Sequence, residues 1–308
     1  MFQFQPAGFV PYKNKEVLER CRALSGEALT KHPNPDFRIQ IVQNPSGIWV
    51  GDMVARILRS DLTDEKVVMI LPNPCPGIYA AVAEAINRLN ISCRNLYVFT
   101  MDEWADDSGH IAPENYRAGF SYSNRKYFTG KIAPELRPPE KNIVYPSDKN
   151  INDYSKLIED AGDADICYSG PGWAGHIAFI DPLTPEFACG SLDEFVGMGA
   201  RVITLNPMTV MQNSLHGVFG QSGDIAAVPP KAATIGPLDV KRAKNRMEIH
   251  ALTTTGGFSS WQRMISRLIL HGEVTPLVPA SILQLWKTDV YLSEEIAAPI
   301  ECMETTGY

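Results

Sequence analysis

The stretch KVVMILPNPCPGIYAAVAEAINRLNISCRNLYVFTMDEW, residues 66–104, decides the fold. It contains two continuous apolar runs, 66–71 and 96–101, and each has the length of a strand that is buried on both faces. Between them, a turn rich in proline and glycine is followed by a helical pattern over 78–89. A strand, a helix and a second strand in this order are typical of a parallel βαβ unit.

The same alternation extends along the chain in both directions. Further strands are expected at 38–43, 165–168, 201–205, 246–252 and 289–292. Helices are expected at 13–29, 47–59, 209–219, 236–244 and 258–271. The sequence therefore predicts an α/β fold with a doubly wound, mostly parallel, Rossmann-like sheet and helices on both faces. Residues 1–36 are expected to form an N-terminal arm and helix, and residues 37–308 a single α/β domain.

The composition indicates a globular, acidic protein. The chain has 308 residues, a net charge of −7 and 44% hydrophobic residues, which is enough for a buried core. Lysine and arginine are scattered along it, so no nucleic-acid partner is expected. An anionic ligand would therefore have to be held by a local group of cations.

The cysteines and the N-terminus bear on the compartment. The six cysteines lie far apart without a C-x-x-C pair, so we expect free thiols in a reducing compartment. Residues 1–16 lack a basic segment followed by a long apolar one, so no signal peptide is expected. No run approaches the roughly eighteen apolar residues of a membrane span. These features predict a cytoplasmic protein without a membrane partner.

Two acidic residues, Asp102 and Glu103, directly follow the apolar run 96–101. In a doubly wound sheet the ligand lies outside the carboxyl ends of the strands. An aspartate at such a point can act as a general base on a C–H beside a carbonyl. It can equally cap the turn or helix that follows, and this segment alone does not decide between the two roles.

A glycine-rich segment, SGPGWAGHIAFIDP at 169–182, follows another predicted strand. Gly170, Gly172 and Gly175 would let backbone N–H groups approach an anion or an oxyanion closely. His176 directly after them can shuttle a proton at neutral pH. Its glycine-rich context favours this role over that of an ordinary structural histidine. Four other histidines are isolated and are interpreted as surface or packing residues: His110, His216, His250 and His271.

The third strand end is LPNPCPG, residues 71–77. A phosphate-binding turn needs small, flexible residues with free N–H groups at the start of a helix. Three prolines stiffen this turn and each removes one donor, so ordinary phosphate binding is not expected there. Histidine, cysteine and carboxylate residues show no metal-ligand spacing anywhere in the chain, so no metal is expected.

These segments resemble the glucosamine-6-phosphate deaminase/isomerase family, in order along residues 38–293. VFTMDEW (98–104) is similar to the family's strand ending in Met-Asp-Glu, and PENY (113–116) to its P-E-S-Y stretch. The segment 169–182 is similar to its G-G-x-G-x-D-G-H-I-A-F-N-E-P signature. Shorter similarities follow at 204–205 with 213–214, at 233–236 and at 281–285. Phosphogluconolactonases share a similar glycine-rich block, usually without the I-A-F-N-E-P continuation, and are the weaker match.

The resemblance implies a chemistry and roles within it. Family members open a cyclic amino-sugar phosphate, move a proton between C2 and C1, and release ammonia. The enolisation base then falls on Asp102, the ring-opening histidine on His176, and its supporting carboxylate on Asp181. The further substrate-binding candidates are Glu103, Gly170, Gly172, Gly175 and Asn73. The expected partner is a small sugar or sugar phosphate, no cofactor is implied, and a homo-oligomer is expected because family members are often oligomers.

The chain departs from the family pattern, mainly where phosphate would bind. Ala174 stands in place of the signature's aspartate. Pro74-Cys75-Pro76 replaces a Gly-Gly-Thr turn, Val210 replaces an arginine, and no lysine stands at Gln262 or within 254–257. Each lost charge-assisted hydrogen bond costs about 1.5–3 kcal/mol, so losing two would weaken binding roughly a hundredfold or more. The cations that could replace them are Arg117, Arg125, Lys126, Arg201 and Lys231.

Three functional hypotheses follow from these residues. The first is a sugar-phosphate isomerase or deaminase of amino-sugar metabolism with an altered substrate, because the residues around Asp102 and His176 keep the family pattern. The second is a catalytically impaired sugar-binding or regulatory paralogue, which the departures at Ala174, Val210 and 72–77 indicate. The third is a lactonase-type hydrolase on the same fold, in which His176 would activate water.

Overall fold

The computed structural model describes residues 4–252 and 260–301. Ten strands lie within them: β1 (Phe37–Val42), β2 (Val67–Leu71), β3 (Leu96–Thr100), β4 (Asp102–Ala105), β5 (Ile143–Val144), β6 (Ile166–Ser169), β7 (Arg201–Thr204), β8 (Lys231–Thr234), β9 (Arg246–His250) and β10 (Thr288–Ser293). Ten α-helices accompany them: α1 (Lys15–Ala23), α2 (Pro45–Thr63), α3 (Pro76–Leu89), α4 (Phe120–Tyr127), α5 (Tyr154–Asp160), α6 (Leu192–Phe195), α7 (Pro207–Asn213), α8 (Pro237–Arg242), α9 (Gln262–His271) and α10 (Glu294–Ala297).

Seven strands form one sheet in the order β1-β10-β9-β6-β2-β3-β5, and every neighbouring pair is parallel. On β2, Val68 and Ile70 pack into the core on one face, and Met69 and Leu71 into the core on the other. A strand covered on both faces needs apolar residues at every position, which explains the continuous run VVMIL. The predicted doubly wound, mostly parallel sheet is confirmed.

Local signals set the ends of the helices beside β2. Pro45 opens α2 and Pro76 opens α3, where a proline loses no helical hydrogen bond. Asp64 and Asn90 end the same helices in the left-handed conformation. The helix expected at 13–29 is shorter than predicted, because α1 ends at Ala23 and a separate 3₁₀ turn begins at Gly26, whose φ is +52°.

A second sheet was not predicted from the sequence. Strands β4, β8 and β7 form an antiparallel sheet in that order, with Asp102 opposite Thr234. The strand expected at 201–205 belongs to this sheet. The chain passes between the sheets at Met101, whose N–H donates to the Leu71 carbonyl (3.0 Å) and whose carbonyl accepts from Ile235 (2.8 Å). Asp102 therefore begins a strand rather than a loop.

The N-terminal segment packs on the parallel-sheet body. Helix α1 lies against α9, and the Tyr12 hydroxyl donates to Glu273 at 2.6 Å. The buried guanidinium of Arg267 donates to the Leu24 carbonyl at 2.8 Å and to the Ala298 carbonyl at 2.7 Å, so it joins both ends of the described chain. Five of the six cysteines are free thiols, and Cys302 lies outside the described residues. Of the described helices, none is long and apolar enough to cross a membrane.

Two ionisable side chains, Glu248 and His250, are fully buried on β9. Ser169 donates a hydrogen bond to Glu248, and Nδ1 of His250 lies 2.7 Å from the hydroxyl of Ser266. Burial raises the pKa of Glu248 to about 8 and lowers the pKa of His250 to about 3. Both groups are therefore mainly neutral near pH 7. His250 is a core residue, in line with its interpretation as a packing histidine.

We expect Glu248→Gln to stabilise the protein increasingly as the pH rises from about 5 to about 8. The unfolded carboxyl ionises near its ordinary pKa of 4.5 and the folded one near 8. The stability that protonated Glu248 contributes at low pH is thus lost as the pH rises, by about 2–4 kcal/mol over this window. Glutamine is neutral throughout and avoids this loss. Urea unfolding across the window measures it, with the exposed Glu135→Gln as control. A difference that does not vary with pH would contradict the neutral state of Glu248.

Candidate active site

A cavity of about 750 Å³ opens at the carboxyl ends of the parallel strands. One wall consists of 72–76 after β2, Gly170 and Pro171 after β6, and Ile249 near the end of β9. The α4 region and the segment 212–221 provide the other walls. This is the place where doubly wound sheets bind ligands, and the volume is within the usual range of about 300–1,000 Å³ for small-molecule sites.

The cavity wall carries buried polar atoms that have no hydrogen-bond partner within the described residues. They are Trp49 Nε1, Asn73 Nδ2 and Oδ1, Ser123 Oγ, His216 Nδ1 and Trp261 Nε1. Each such atom costs about 1–3 kcal/mol, and native proteins keep few of them. Donors and acceptors mixed in one cavity suit a ligand rich in hydroxyl groups. Asn73, expected to bind substrate, is part of this set.

Asp102 lies directly behind the cavity wall, at the first position of β4. It is 5% exposed, and its Oδ1 has no hydrogen-bond partner among the described residues. Burial, and after it the charge of Glu103, raise the pKa of Asp102 well above its usual range. Cys75, a wall residue, is close enough to respond: burial raises the pKa of the Cys75 thiol to about 12, and Asp102 adds to the effect. Asp102 therefore holds its proton more tightly than an exposed aspartate does.

Glu103 points to the opposite side of β4 and is fully buried. Its Oε1 accepts from the N–H groups of Trp104 (2.9 Å) and Phe120 (3.0 Å). Its Oε2 accepts from the Ser121 N–H (2.7 Å) and the Ser121 hydroxyl. These bonds hold the first turn of α4, and Glu103 is not among the described residues that line the cavity. In place of the expected substrate contact, the structure shows Glu103 anchoring a helix of the cavity wall.

His176 and Asp181 form a buried, hydrogen-bonded pair. Nδ1 of His176 lies 2.6 Å from Oδ1 of Asp181, which also accepts from the Thr209 hydroxyl at 2.8 Å. Oδ2 of Asp181 accepts from the Asn206 N–H at 2.8 Å. Asp181 thus orients the imidazole, whose Nε2 faces Gly172. A Cβ atom at Gly172 would come within 1.8 Å of Nε2, so glycine is required there.

The three glycines that were expected to present N–H groups to an anion differ in whether they line the cavity. Gly170 lies in the cavity wall. The Gly172 N–H donates to the His176 carbonyl (3.4 Å) and the Gly175 N–H to the Gly172 carbonyl (2.9 Å), so both are used within the turn. Gly175 has φ +79°, a left-handed conformation that favours glycine. Gly172 and Gly175 shape the turn around His176, and Gly170 alone of the three borders the ligand space.

His216, interpreted from the sequence as a surface or packing residue, lines the cavity. Burial, with a smaller contribution from His176, lowers the pKa of His216 to about 4, so the ring is neutral near pH 7. Its Nδ1 is one of the unpartnered atoms of the wall. His216 therefore lines the cavity and lies close enough to His176 to be affected by its charge. His216 follows Asn213-Ser214, a pair that resembles the family pattern, by two residues. This spacing could have indicated from the sequence that His216 lies near the site.

Ala174 faces a second, apolar cavity of about 170 Å³ between the N-terminal segment and α9. Its lining is mainly apolar and includes Val10, Tyr12, Leu18, Met264, Leu268 and Val278. The position where the family pattern has an aspartate is thus surrounded by hydrocarbon. A carboxylate at 174 would have no polar environment to stabilise its charge.

We expect Ala174→Asp to destabilise the protein by roughly 1–3 kcal/mol without raising its activity. The loss should be larger near pH 7 than near pH 4, because the buried carboxyl becomes neutral in acid. Urea unfolding at both pH values measures this. Ala174→Val, which adds similar volume without charge, serves as control and should show no such pH dependence. A gain in turnover in Ala174→Asp would contradict this description of the position.

Comparison with known proteins agrees with the fold and with the resemblance. No protein-family model matches the chain. Glucosamine-6-phosphate deaminase of Lachnoclostridium phytofermentans is 27% identical over 215 residues, which cover 68% of this chain and 78% of the relative. The Caenorhabditis elegans glucosamine-6-phosphate deaminase is 27% identical over 263 residues, which cover 83% of this chain and 88% of the relative.

Solved structures share the architecture. A monomeric glucosamine-6-phosphate deaminase superimposes with a TM-score of 0.66 at 21% identity, covering 84% of this chain and 98% of its own. The 6-phosphogluconolactonase of Trypanosoma cruzi has a TM-score of 0.60 at 17% identity, covering 88% and 100%. The sequence relatives extend over most of the chain. The chain is similar over most of its length to glucosamine-6-phosphate deaminases, and it has the fold that they share with 6-phosphogluconolactonases.

Proposed function

We propose that the protein is a deaminase-like isomerase that acts on an amino-sugar phosphate. The observation that carries the proposal is Asp102, a buried aspartate with an unpartnered oxygen, behind the wall of a cavity in which several polar atoms also lack a partner among the described residues. The relatives that share the sequence are glucosamine-6-phosphate deaminases, which supports the same reaction class.

The proposed chemistry begins with ring opening at the His176–Asp181 pair. The imidazole takes the proton of the C1 hydroxyl and returns a proton to the ring oxygen of the sugar. Asp181 stabilises the imidazolium of His176 through its 2.6 Å contact with Nδ1. Both residues are buried, so this step requires the C1 end of the sugar to reach the imidazole past the cavity wall, which includes Gly170 and His216.

The second step is proton transfer by Asp102. Its carboxylate takes the proton from C2, and the electrons of the C–H bond form the C1–C2 double bond of an enolamine. The electron pair of the C1 carbonyl moves to O1, which takes a proton from water. Return of a proton to C1 gives an iminium group at C2, which water hydrolyses to a ketose with release of ammonia. Burial and the charge of Glu103 favour the protonated form of Asp102 in the free protein, and the ammonium group of a bound amino sugar favours its ionised form.

Turnover of glucosamine 6-phosphate in D₂O tests the proposal. We expect exchange at C2, deuterium in the ketose product and release of ammonia, followed by NMR and an ammonia assay. Hydrolysis of 6-phosphogluconolactone is measured in parallel, because the fold is shared with lactonases. Binding of the amino sugar without exchange would instead support a binding paralogue, and lactone hydrolysis without exchange would support a hydrolase.

A further inference from the structure

The charge of the cavity wall is a feature that this mechanism does not use. Arg117 and Lys126 line the cavity, and no Asp or Glu does so in the described parts of the chain. His216 is neutral near pH 7, because burial and His176 lower its pKa to about 4. The chain as a whole has a net charge of −7. The cavity is therefore a locally positive region of an acidic protein.

The other candidate cations from the sequence are not among the described residues that line the cavity. The Arg125 guanidinium donates to Glu114 at 2.7 Å and to Glu140. Arg201 donates to the carbonyls of Gly199 and Glu186, and Lys231 lies on β8 in the small sheet. Gln262 lines the cavity, and 254–257 lie outside the described residues.

Arg117 and Lys126 line the cavity as exposed residues. No described Asp or Glu lies within ion-pair distance of either. Nζ of Lys126 lies 5.7 Å from the ring centroid of Tyr122 and 5.0 Å from that of Tyr127. Tyr122, Ser123, Lys126 and Tyr127 recur at helical spacing and together form the α4 side of the cavity. Two unneutralised cations that line one cavity together with aromatic rings suit a sugar that carries an anionic group.

We propose that Arg117 and Lys126 bind the phosphate monoester of the sugar substrate. The inference rests on the proposed function in that it takes the ligand to be a sugar. It places the phosphate against α4 instead of at the turn 74–76, where prolines remove the N–H donors that a phosphate would need. The planar donors of Arg117 and the ammonium of Lys126 provide charge-assisted hydrogen bonds to phosphate oxygens. The C1–C2 end of the sugar is then left for Asp102 and Gly170.

Calorimetric titration of the full chain with glucosamine 6-phosphate and with glucosamine tests this site. We expect the wild type to bind the phosphorylated sugar at least about a hundredfold more tightly. In R117A/K126A the preference should fall to within about threefold, with little change in the affinity for glucosamine. Glucosamine 6-sulfate, with one negative charge fewer, should lie between the two sugars. R22A/K131A removes the same charges at exposed positions outside the cavity and should keep the preference.

An unchanged phosphate preference in R117A/K126A, or none in the wild type, would overturn the site. Circular dichroism of each variant excludes loss of folding as the cause. The outcome is separable from that of the proposed function. Proton exchange at C2 without any phosphate preference would leave the function standing and remove the site. A preference that depends on Arg117 and Lys126, without exchange at C2, would leave the site standing and remove the function.

Discussion

Asp102→Asn is expected to lower the rate of proton exchange at C2 by roughly 10²–10⁴-fold, the usual contribution of a general base. Asparagine keeps the shape of the side chain and cannot accept the proton. Because burial already favours the neutral form of Asp102, a neutral asparagine of the same shape should leave the fold and the binding of the sugar phosphate nearly unchanged. Exchange at C2 followed by NMR, together with calorimetric binding, separates the two effects.

The pH dependence of kcat/KM provides a second test of Asp102 as the base. The base must lose its proton to act, and burial with the charge of Glu103 raises the pKa of Asp102 well above its usual range. We therefore expect kcat/KM to fall as the pH decreases, with a midpoint well above 3.8, the ordinary pKa of an aspartate. Asp107→Asn, at an exposed position nearby, is the matched control and should keep both rate and profile. Full exchange activity in Asp102→Asn would exclude Asp102 as the base.

Glu103→Ala is expected to destabilise the protein by roughly 3–5 kcal/mol. The side chain is fully buried, and its loss leaves three backbone N–H groups and one hydroxyl without their acceptor. Those donors belong to Trp104, Phe120 and Ser121, so the start of α4 loses its anchor. Urea unfolding measures the cost, and Glu135→Ala, at an exposed position, is the control.

Glu103 also links stability to ligand binding. Since α4 carries Lys126 into the cavity wall, a displaced helix should weaken the preference for a phosphorylated sugar as well. Glu103→Gln, which retains one acceptor oxygen, should be intermediate in both measurements. A substitution that weakens sugar binding while leaving stability unchanged would instead indicate direct contact between Glu103 and the ligand.

Much of the fold could be predicted because its signals are local. The run VVMIL at 67–71 is apolar at every position since both faces of β2 are covered, and this is visible in five consecutive residues. The starts of α2 and α3 at Pro45 and Pro76 follow from the chemistry of a single residue. The segment 169–182 was likewise recognisable from its glycine-rich composition. The structure brings His176 and Asp181 of this segment within hydrogen-bonding distance.

The different environments of Asp102 and Glu103 could not be predicted, although the residues are adjacent. Which one lies behind the cavity wall depends on β4 pairing with β8, a strand far along the chain. Strand pairing of this kind sends alternate side chains to opposite sides, and no local pattern in four residues reveals it. The sequence therefore located the acidic pair, and the second sheet placed one member behind the cavity wall and the other against the start of α4.

The sequence by itself determined the parallel sheet and the edge at which the cavity opens, and it predicted Asp102, His176 and Asp181 as site residues. Only the tertiary structure decided the charge of the cavity. Arg117, Lys126 and His216 come from separate segments, and their selection depends on which cations are already neutralised, as Arg125 is by Glu114 and Glu140. Ion pairing and burial are properties of three-dimensional neighbours, so a sequence that contains five candidate cations cannot show which two line the cavity.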